Sequence, residues 1–212
     1  MIRIVLADDH TIVREGLKQL LVADGGLEVV GEADNGHDAL ARVRELDFDV
    51  LLLDMSMPGK SGIELIKQIH DERPKLRILI LSMHEEHQYA VRAIRAGACG
   101  YLTKESASRQ LVAAIKKVAA GGAFISSEVA EQLALGAMPG AESAPHEKLT
   151  DREFQVFRMI AEGMGVSDIA ERLHLSVKTV STHKANILHK LEVAGTGELI
   201  RYALAHRLVE GG

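Results

Sequence analysis

Asp8 and Asp9 close the apolar run Ile2-Arg3-Ile4-Val5-Leu6-Ala7, and Asp54 closes a second, Val50-Leu51-Leu52-Leu53. If these runs are neighbouring strands of one sheet, three carboxylates share a small volume. Like charges that close are unfavourable unless a proton or a cation intervenes, and a cluster of hard carboxylate oxygens suits Mg2+. Ser82 and Lys104 follow two further apolar runs and offer a hydroxyl and an ammonium. An anion carried on Asp54 would meet the cation, Ser82 and Lys104 together. A transferred phosphoryl group needs that set, because its catalysis is mostly positioning and charge neutralisation. Each residue also has an ordinary reading: a helix cap or turn for Asp54, a surface lysine for Lys104, a strand-end hydroxyl for Ser82.

Positioning these groups requires a parallel sheet. Residues 1–120 alternate short aliphatic runs with amphipathic helical patterns, which implies βα units. The strands expected are Arg3 to Ala7, Glu28 to Ala33, Val50 to Asp54, Arg77 to Ser82 and Gly100 to Thr103, with helical patterns near 11–23, 36–46, 62–72, 87–96 and 106–119. Asp24-Gly25-Gly26, Asn35-Gly36, Pro58-Gly59, Pro74 and Gly97 punctuate them. The run Val50 to Leu53, aliphatic at every position, reads as a strand covered on both faces. A doubly wound α/β sheet of order 2-1-3-4-5 follows. It makes strands one and three neighbours, with their carboxyl ends flanking the switch point where ligands collect.

From residue 121 the composition changes. Gly121-Gly122 breaks the fifth helix, Ser126 to Leu135 has the pattern of a short helix, and Gly136 to Pro145 reads as a flexible linker. Residues 149–212 show only helical periodicity, the mark of a second, all-α domain. Thr150 with Glu153 forms a capping box for a helix carrying Phe154, Phe157, Ile160 and Ala161 on one face. Gly163-Met164-Gly165 stops it. A short helix places Ile169, Ala170 and Leu173 inward, His174-Leu175-Ser176 turns, and a longer helix begins near Val177. That pattern suits a helix-turn-helix and equally two packed helices of any bundle. A last helix spans about 196–208. The expected division is 1–120, a 121–148 linker, and 149–212.

Composition narrows the classes. One cysteine, Cys99, excludes an internal disulfide and fits a reducing compartment. The first apolar stretch is too short for a signal peptide, and no run approaches a membrane span, so the expectation is a cytoplasmic protein without membrane contact. Residues 148–212 hold nine Lys and Arg against eight Asp and Glu, so net charge alone does not announce a nucleic-acid binder. The local distribution does more: Ser176 to Leu191 contains no acid but carries Lys178, Lys184 and Lys190, and such a helix can approach phosphates without repulsion. His10, His37, His84 and His87 lack transition-metal spacing and read as ordinary surface or loop residues.

Five spaced elements of residues 1–120 together resemble a response-regulator receiver domain: Asp8-Asp9, Asp54-x-x-Met57-Pro58-x-x-x-Gly62, Ser82, Tyr101 and Lys104. The resemblance implies that Asp54 accepts phosphate from a histidine kinase. It implies that Asp9 ligates Mg2+ directly, Asp8 through water and Ser56 through its backbone carbonyl, with Asp54 itself a ligand. Ser82 and Lys104 would contact the phosphoryl group, and Tyr101 would change rotamer on activation. Glu105 departs from the proline that often follows the lysine in this family; a non-proline cis peptide costs about 3–4 kcal/mol. Residues 149–208 resemble a LuxR-type DNA-binding domain through Leu149-Thr150-x-Arg152-Glu153, Ile169-Ala170 and Ser176-x-Lys178-Thr179-Val180-x-x-His183. The whole chain is thus similar to a NarL/FixJ-type response regulator, which implies a homodimer on double-stranded promoter DNA.

At about 100° per residue, Val177, Val180, Ile187, Leu188 and Leu191 share the inward face of the long helix, and Lys178, Thr182, Ala185 and His189 face away with Ser181 at the flank. Groove readers use the first half of such a helix, which selects Ser181, Thr182 and Ala185 for base edges and Lys178 and Thr179 for phosphates. Lys184 is expected to snorkel along the apolar side. Two other readings compete with a phosphorylation-controlled transcription regulator. A phosphohydrolase also uses a strand-end aspartate, but commonly with a second acid two residues on, where this chain has Ser56. An adaptor would use the helical domain for protein contacts, and a promoter shift assay separates it from the regulator.

Overall fold

The computed structural model describes residues 1–57, 62–82, 87–137, 144–206 and 208–209, and it places the chain in two compact units, Met1–Ala134 and Leu135–Gly212. The turn expected at Pro58-Gly59, His84 and residues 138–143 of the expected linker fall outside the described residues.

In the first unit, five strands form one parallel sheet of order β2-β1-β3-β4-β5: β1 Ile2–Ala7, β2 Leu27–Ala33, β3 Val50–Asp54, β4 Arg77–Ser82 and β5 Gly100–Thr103. The helices are α1 Thr11–Val22, α2 Gly36–Glu45, α3 Gly62–Glu72, α4 His87–Arg95 and α5 Lys104–Ala119. Alternation along the strands sorts the core into two layers. Val5, Leu51, Leu53, Ile78 and Ile80 face α2, α3 and α4 through Leu40, Ile66 and Ala93. Ile4, Leu6, Val50, Leu52, Leu79 and Leu81 face α1 and α5 through Leu21, Leu111 and Ile115. All five residues of β3 are buried, as an aliphatic run without alternation requires.

The fifth helix begins at Lys104, two residues earlier than its apolar pattern indicates, because Thr103 caps it by accepting the Ser106 amide. Past Gly121-Gly122 the chain stays with the sheet. Phe124 donates its amide to Cys99 and accepts that of Tyr101, a one-residue parallel bridge on the free edge of β5. Helix α6, Ser127–Gly136, follows, and its Val129 is buried with Ala90 and Val91 of α4, against Tyr101, Ile125 and Leu133. A linker helix was expected here. Its burial depends on α4 and β5, which a local pattern does not reveal.

The second unit holds a short 3-10 helix, Pro145–Lys148, then α7 Asp151–Ala161, α8 Val166–Arg172, α9 Val177–Leu191 and α10 Thr196–Ala205. Both halves of the capping box are formed at Thr150 and Glu153. Phe154, Val156, Phe157, Ile160, Ile169, Val180, Ile187, Leu191, Leu199 and Ala203 make the core. The 3-10 helix is held to α10 by Tyr202, whose hydroxyl lies 2.9 Å from Nδ1 of buried His146. Among the described residues no helix is long and apolar enough to cross a membrane.

Val129 removes one side chain's worth of apolar surface from water, so Val129→Ala should lower the unfolding free energy of the first unit by about 1–3 kcal/mol. A fragment ending at residue 120 should melt below one ending at residue 136; equal melting curves would contradict the packing of α6.

Candidate functional site

Strand register assembles the acidic group. Ala7 pairs with Leu53, so Asp8 and Asp54 occupy equivalent places on adjacent strands, about 4.8 Å apart in the pairing direction. Ser82 pairs with Thr103, which puts Lys104 at the same sheet edge one residue later. From β5 to β3 is two strand spacings, roughly 10 Å, and only a long side chain spans it. Lys104 does so: its Nζ is 2.9 Å from Asp54 Oδ2 and 2.6 Å from Asp8 Oδ2. The Lys104-Glu105 peptide is trans. Asp54 is fully buried and its Oδ1 accepts the Ser56 amide at 3.1 Å, while Ser82 is buried at the end of β4. Tyr101 is half-buried between the α4 layer and the α6 cluster.

Burial pushes the Asp54 carboxyl above its ordinary value, against the pull of Lys104 and the Ser56 amide. Burial also opposes the Lys104 ammonium, but its pairing with Asp8 and Asp54 outweighs that and holds it above the usual lysine value. One ammonium shared between two carboxylates gains from both, whereas Asp54 has a shared partner and no access to water.

The donor set fits Mg2+. Ligand atoms of Asp8, Asp9, His10 and Asp54 lie within 4.8 Å of one another. Asp8 Oδ2 and Asp9 Oδ1 are buried and accept no well-aligned hydrogen bond, although Lys104 Nζ and His10 Nδ1 stand at ion-pair distance. Three carboxylates against the single lysine leave two negative charges, which a divalent cation with oxygen ligands balances.

Two neighbours were not singled out by spacing. His10 is not an ordinary surface residue: its exposed ring lies 2.9 Å from Asp9 Oδ1, and its backbone amide donates to Asp8 Oδ1 at 2.8 Å. Arg14, one turn into α1, donates from Nη1 to the Asp8 carbonyl at 2.6 Å and from Nε to Glu32 Oε2 at 3.3 Å. No local pattern announces it, because the contact forms only when the β1–α1 turn folds Arg14 back over Asp8.

In the second unit, the exposed strip of α9 carries Lys178, Ser181, Thr182 and Ala185, and Thr179 is half-buried. Ser176 caps the helix by accepting the Thr179 amide, and the two hydroxyls are 2.7 Å apart, so Thr179 serves the cap. Val177 corrects the helical-wheel reading: it is 51% exposed rather than inward. It sits within about 60° of Val180 on the wheel, yet Val180 is fully buried while Val177, in the first turn, stays exposed. Asn186, one turn beyond Thr182, is also exposed and was not selected from the sequence. Lys190 is not available to a phosphate: its Nζ is 2.6 Å from Oε2 of buried Glu153. Burial raises the Glu153 carboxyl, but Lys190 and the Thr150 amide and hydroxyl outweigh it and leave the group below its ordinary value.

Comparison with known proteins covers both units. Residues 4–116 match the response regulator receiver domain, and residues 147–203 match the luxR family of bacterial regulatory proteins. The chain is 38% identical over 211 residues to the response regulator GacA of Pseudomonas aeruginosa, covering 99% of each chain. It is 39% identical over 209 residues to the response regulator UvrY of Escherichia coli, covering 98% of this chain and 96% of UvrY. A structure of the RcsB response regulator of Salmonella typhimurium is 29% identical with a TM-score of 0.72, over 96% of this chain and 97% of that one. RcsB from Salmonella enterica serovar Typhimurium, bound to promoter P1flhDC with the phosphomimetic BeF3-, is 31% identical with a TM-score of 0.67, over 95% and 97%.

Because the folded-state value of Asp54 is raised, its ionised form costs stability at neutral pH, and the cost fades as pH falls through that value. Asp54→Asn should therefore stabilise the metal-free protein by about 1 kcal/mol or more at pH 7, with the gap closing in acid, as followed by denaturant titration. Glu153 behaves oppositely: its contribution is present above the ordinary glutamate range and is lost as pH falls toward its lowered value. Lys190→Ala, which strands a buried carboxylate, should destabilise the second unit by about 1.5–3 kcal/mol.

Proposed function

Because the chain belongs to the response regulators that join a receiver domain to a LuxR-family DNA-binding domain, we propose that Asp54 is the phosphoryl acceptor through which a histidine kinase controls it. The protein is a phosphorylation-controlled transcription regulator of a two-component system. The observation that carries the site assignment is the buried Asp54 carboxylate held with Asp8 by one lysine at the carboxyl edge of the sheet.

A carboxylate oxygen of Asp54 forms the bond to phosphorus as the donor histidine's phosphorus–nitrogen bond breaks. Lys104 then faces a phosphoryl oxygen in place of the Asp54 carboxylate, and Ser82 stands at the neighbouring strand end to receive another. Asp9, Asp54 and the Ser56 carbonyl are the residues to hold Mg2+, with Asp8 acting through water. Bound Mg2+ supplies neutralising charge to the transferring oxygens. Tyr101 packs against the α4 and α6 cluster from the strand that adjoins the one ending in Ser82, which supports its role as the switch residue. Residues 1–120 supply this chemistry and residues 149–212 the DNA contacts. The relative RcsB is described on promoter DNA, and the acid-free strip of α9 supports the same partner here: Lys178 on phosphate, with Ser181, Thr182 and Ala185 at base edges and Thr179 fixing the helix start. A homodimer pairing through α10, whose Leu204 is 43% exposed, fits two half-sites. A cytoplasmic location and the absence of turnover on external substrates complete the reading.

Acetyl phosphate with Mg2+ should add one acid-labile phosphate, lost in Asp54→Asn and kept in Asp47→Asn; equal labelling of both variants would overturn the assignment. Lys178→Ala should weaken binding to all sequences alike and lower the salt slope by about 1. Footprinting with sedimentation should find a dimer on paired half-sites, and a monomer on one half-site would contradict that pairing.

A further inference from the structure

The carboxyl end of β1 carries two acids in succession, and the chain must leave the sheet there while keeping both aimed at Asp54. Backbone pairing accounts for only part of that. The Asp8 amide donates to the Ala33 carbonyl of β2, and the next residues turn away into α1. The Asp8 carbonyl is the first group of the turn with no strand partner, and Arg14 takes it, with Nη1 at 2.6 Å. The same guanidinium lays Nε against Glu32 Oε2 at 3.3 Å, and Glu32 is fixed in turn by Lys18 at 2.8 Å through its other oxygen. The Arg14 side chain is only 13% exposed.

We propose that Arg14 is a positioning residue for the metal site, a strut from Glu32 on β2 to the Asp8 carbonyl that fixes where the Asp8 and Asp9 carboxylates point. The proposal rests on the reading of the acidic cluster as the Mg2+ site. Arginine suits the task because its planar fork presents two donors at fixed separation; a lysine ammonium is a single point and reaches one end at a time. The guanidinium meets Asp8 at the main chain and leaves both carboxylate oxygens to Lys104, His10 and a cation. It thus sets geometry without competing for the ligand atoms. Partners one step removed from a metal's ligands typically change affinity by 10–100-fold when lost.

The test is Mg2+ binding by calorimetry on the full chain, with thermal unfolding on the same samples. Arg14→Ala should raise the Mg2+ dissociation constant about tenfold or more while the protein still unfolds cooperatively. Glu32→Gln should raise it by a smaller factor. The double variant should bind no more weakly than Arg14→Ala, since the two act as one unit. Phosphorylation by acetyl phosphate should recover in Arg14→Ala at saturating Mg2+, a shift in the metal requirement rather than in the maximal rate. If Arg14→Ala does not fold, Glu32→Gln carries the same test. Parental Mg2+ affinity in Arg14→Ala or Glu32→Gln, alongside loss of binding in Asp9→Asn, overturns the strut. Parental affinity in Asp9→Asn as well overturns the metal-site reading, and the strut with it.

Discussion

The first unit depends on one shared ammonium. Asp8 and Asp54 end adjacent strands, and without Lys104 two buried carboxylates would face each other with no counter-charge. Lys104 meets both at ion-pair distance. The arrangement is nevertheless incomplete, since one positive charge serves several acids and burial still drives the Asp54 carboxyl upward. A site short of positive charge is poised for a divalent cation. The proposed phosphoryl group on Asp54 would give the same lysine a new, more highly charged partner. The stability lost by burying the acids is thus the free-energy difference that a metal and a phosphate can use.

The edge where this happens is tied to the rest of the unit through β5. Lys104 opens α5, Tyr101 lies on the same strand, and Phe124 lengthens the sheet by a single bridge beside it. Helix α6 then buries Val129 against α4 and Tyr101. A population shift requires an element whose two states differ in contacts with the switch. The contact of α6 with Tyr101 places the segment leaving the receiver on the residue proposed to respond.

In the second unit one buried acid performs a comparable task. Glu153 closes the capping box of α7 and accepts Lys190 from the far end of α9. That pair ties α7 to the helix that presents Lys178, Ser181, Thr182 and Ala185. A lysine counted by sequence among groups available to DNA is thereby spent on the scaffold. The basic character of α9 rests more heavily on its first turns, where a groove-reading helix makes its contacts.

Local patterns were enough to determine the strand order, the βα alternation, the capping box and the meeting of Asp8, Asp54, Ser82 and Lys104 at one edge of the sheet. Each is announced by an aliphatic run ending on a polar residue, and a parallel sheet brings such ends to one edge whatever the loops do. Tertiary structure alone decided the rest. Helix periodicity cannot say that Val177 is exposed while Val180, one turn on, is buried, because wheel angle carries no information about how far along the helix its neighbours extend. Composition cannot say that Gly121 to Ala134 stays on the receiver, because Phe124 packs against the α1 and α5 layer and Val129 against α4 only once the sheet has formed. His10 and Arg14 enter the acidic site through the path of the β1–α1 turn, and that path depends on hydrogen bonds to Glu32 and Ala33 of β2, which are distant in sequence and adjacent only once the sheet has formed.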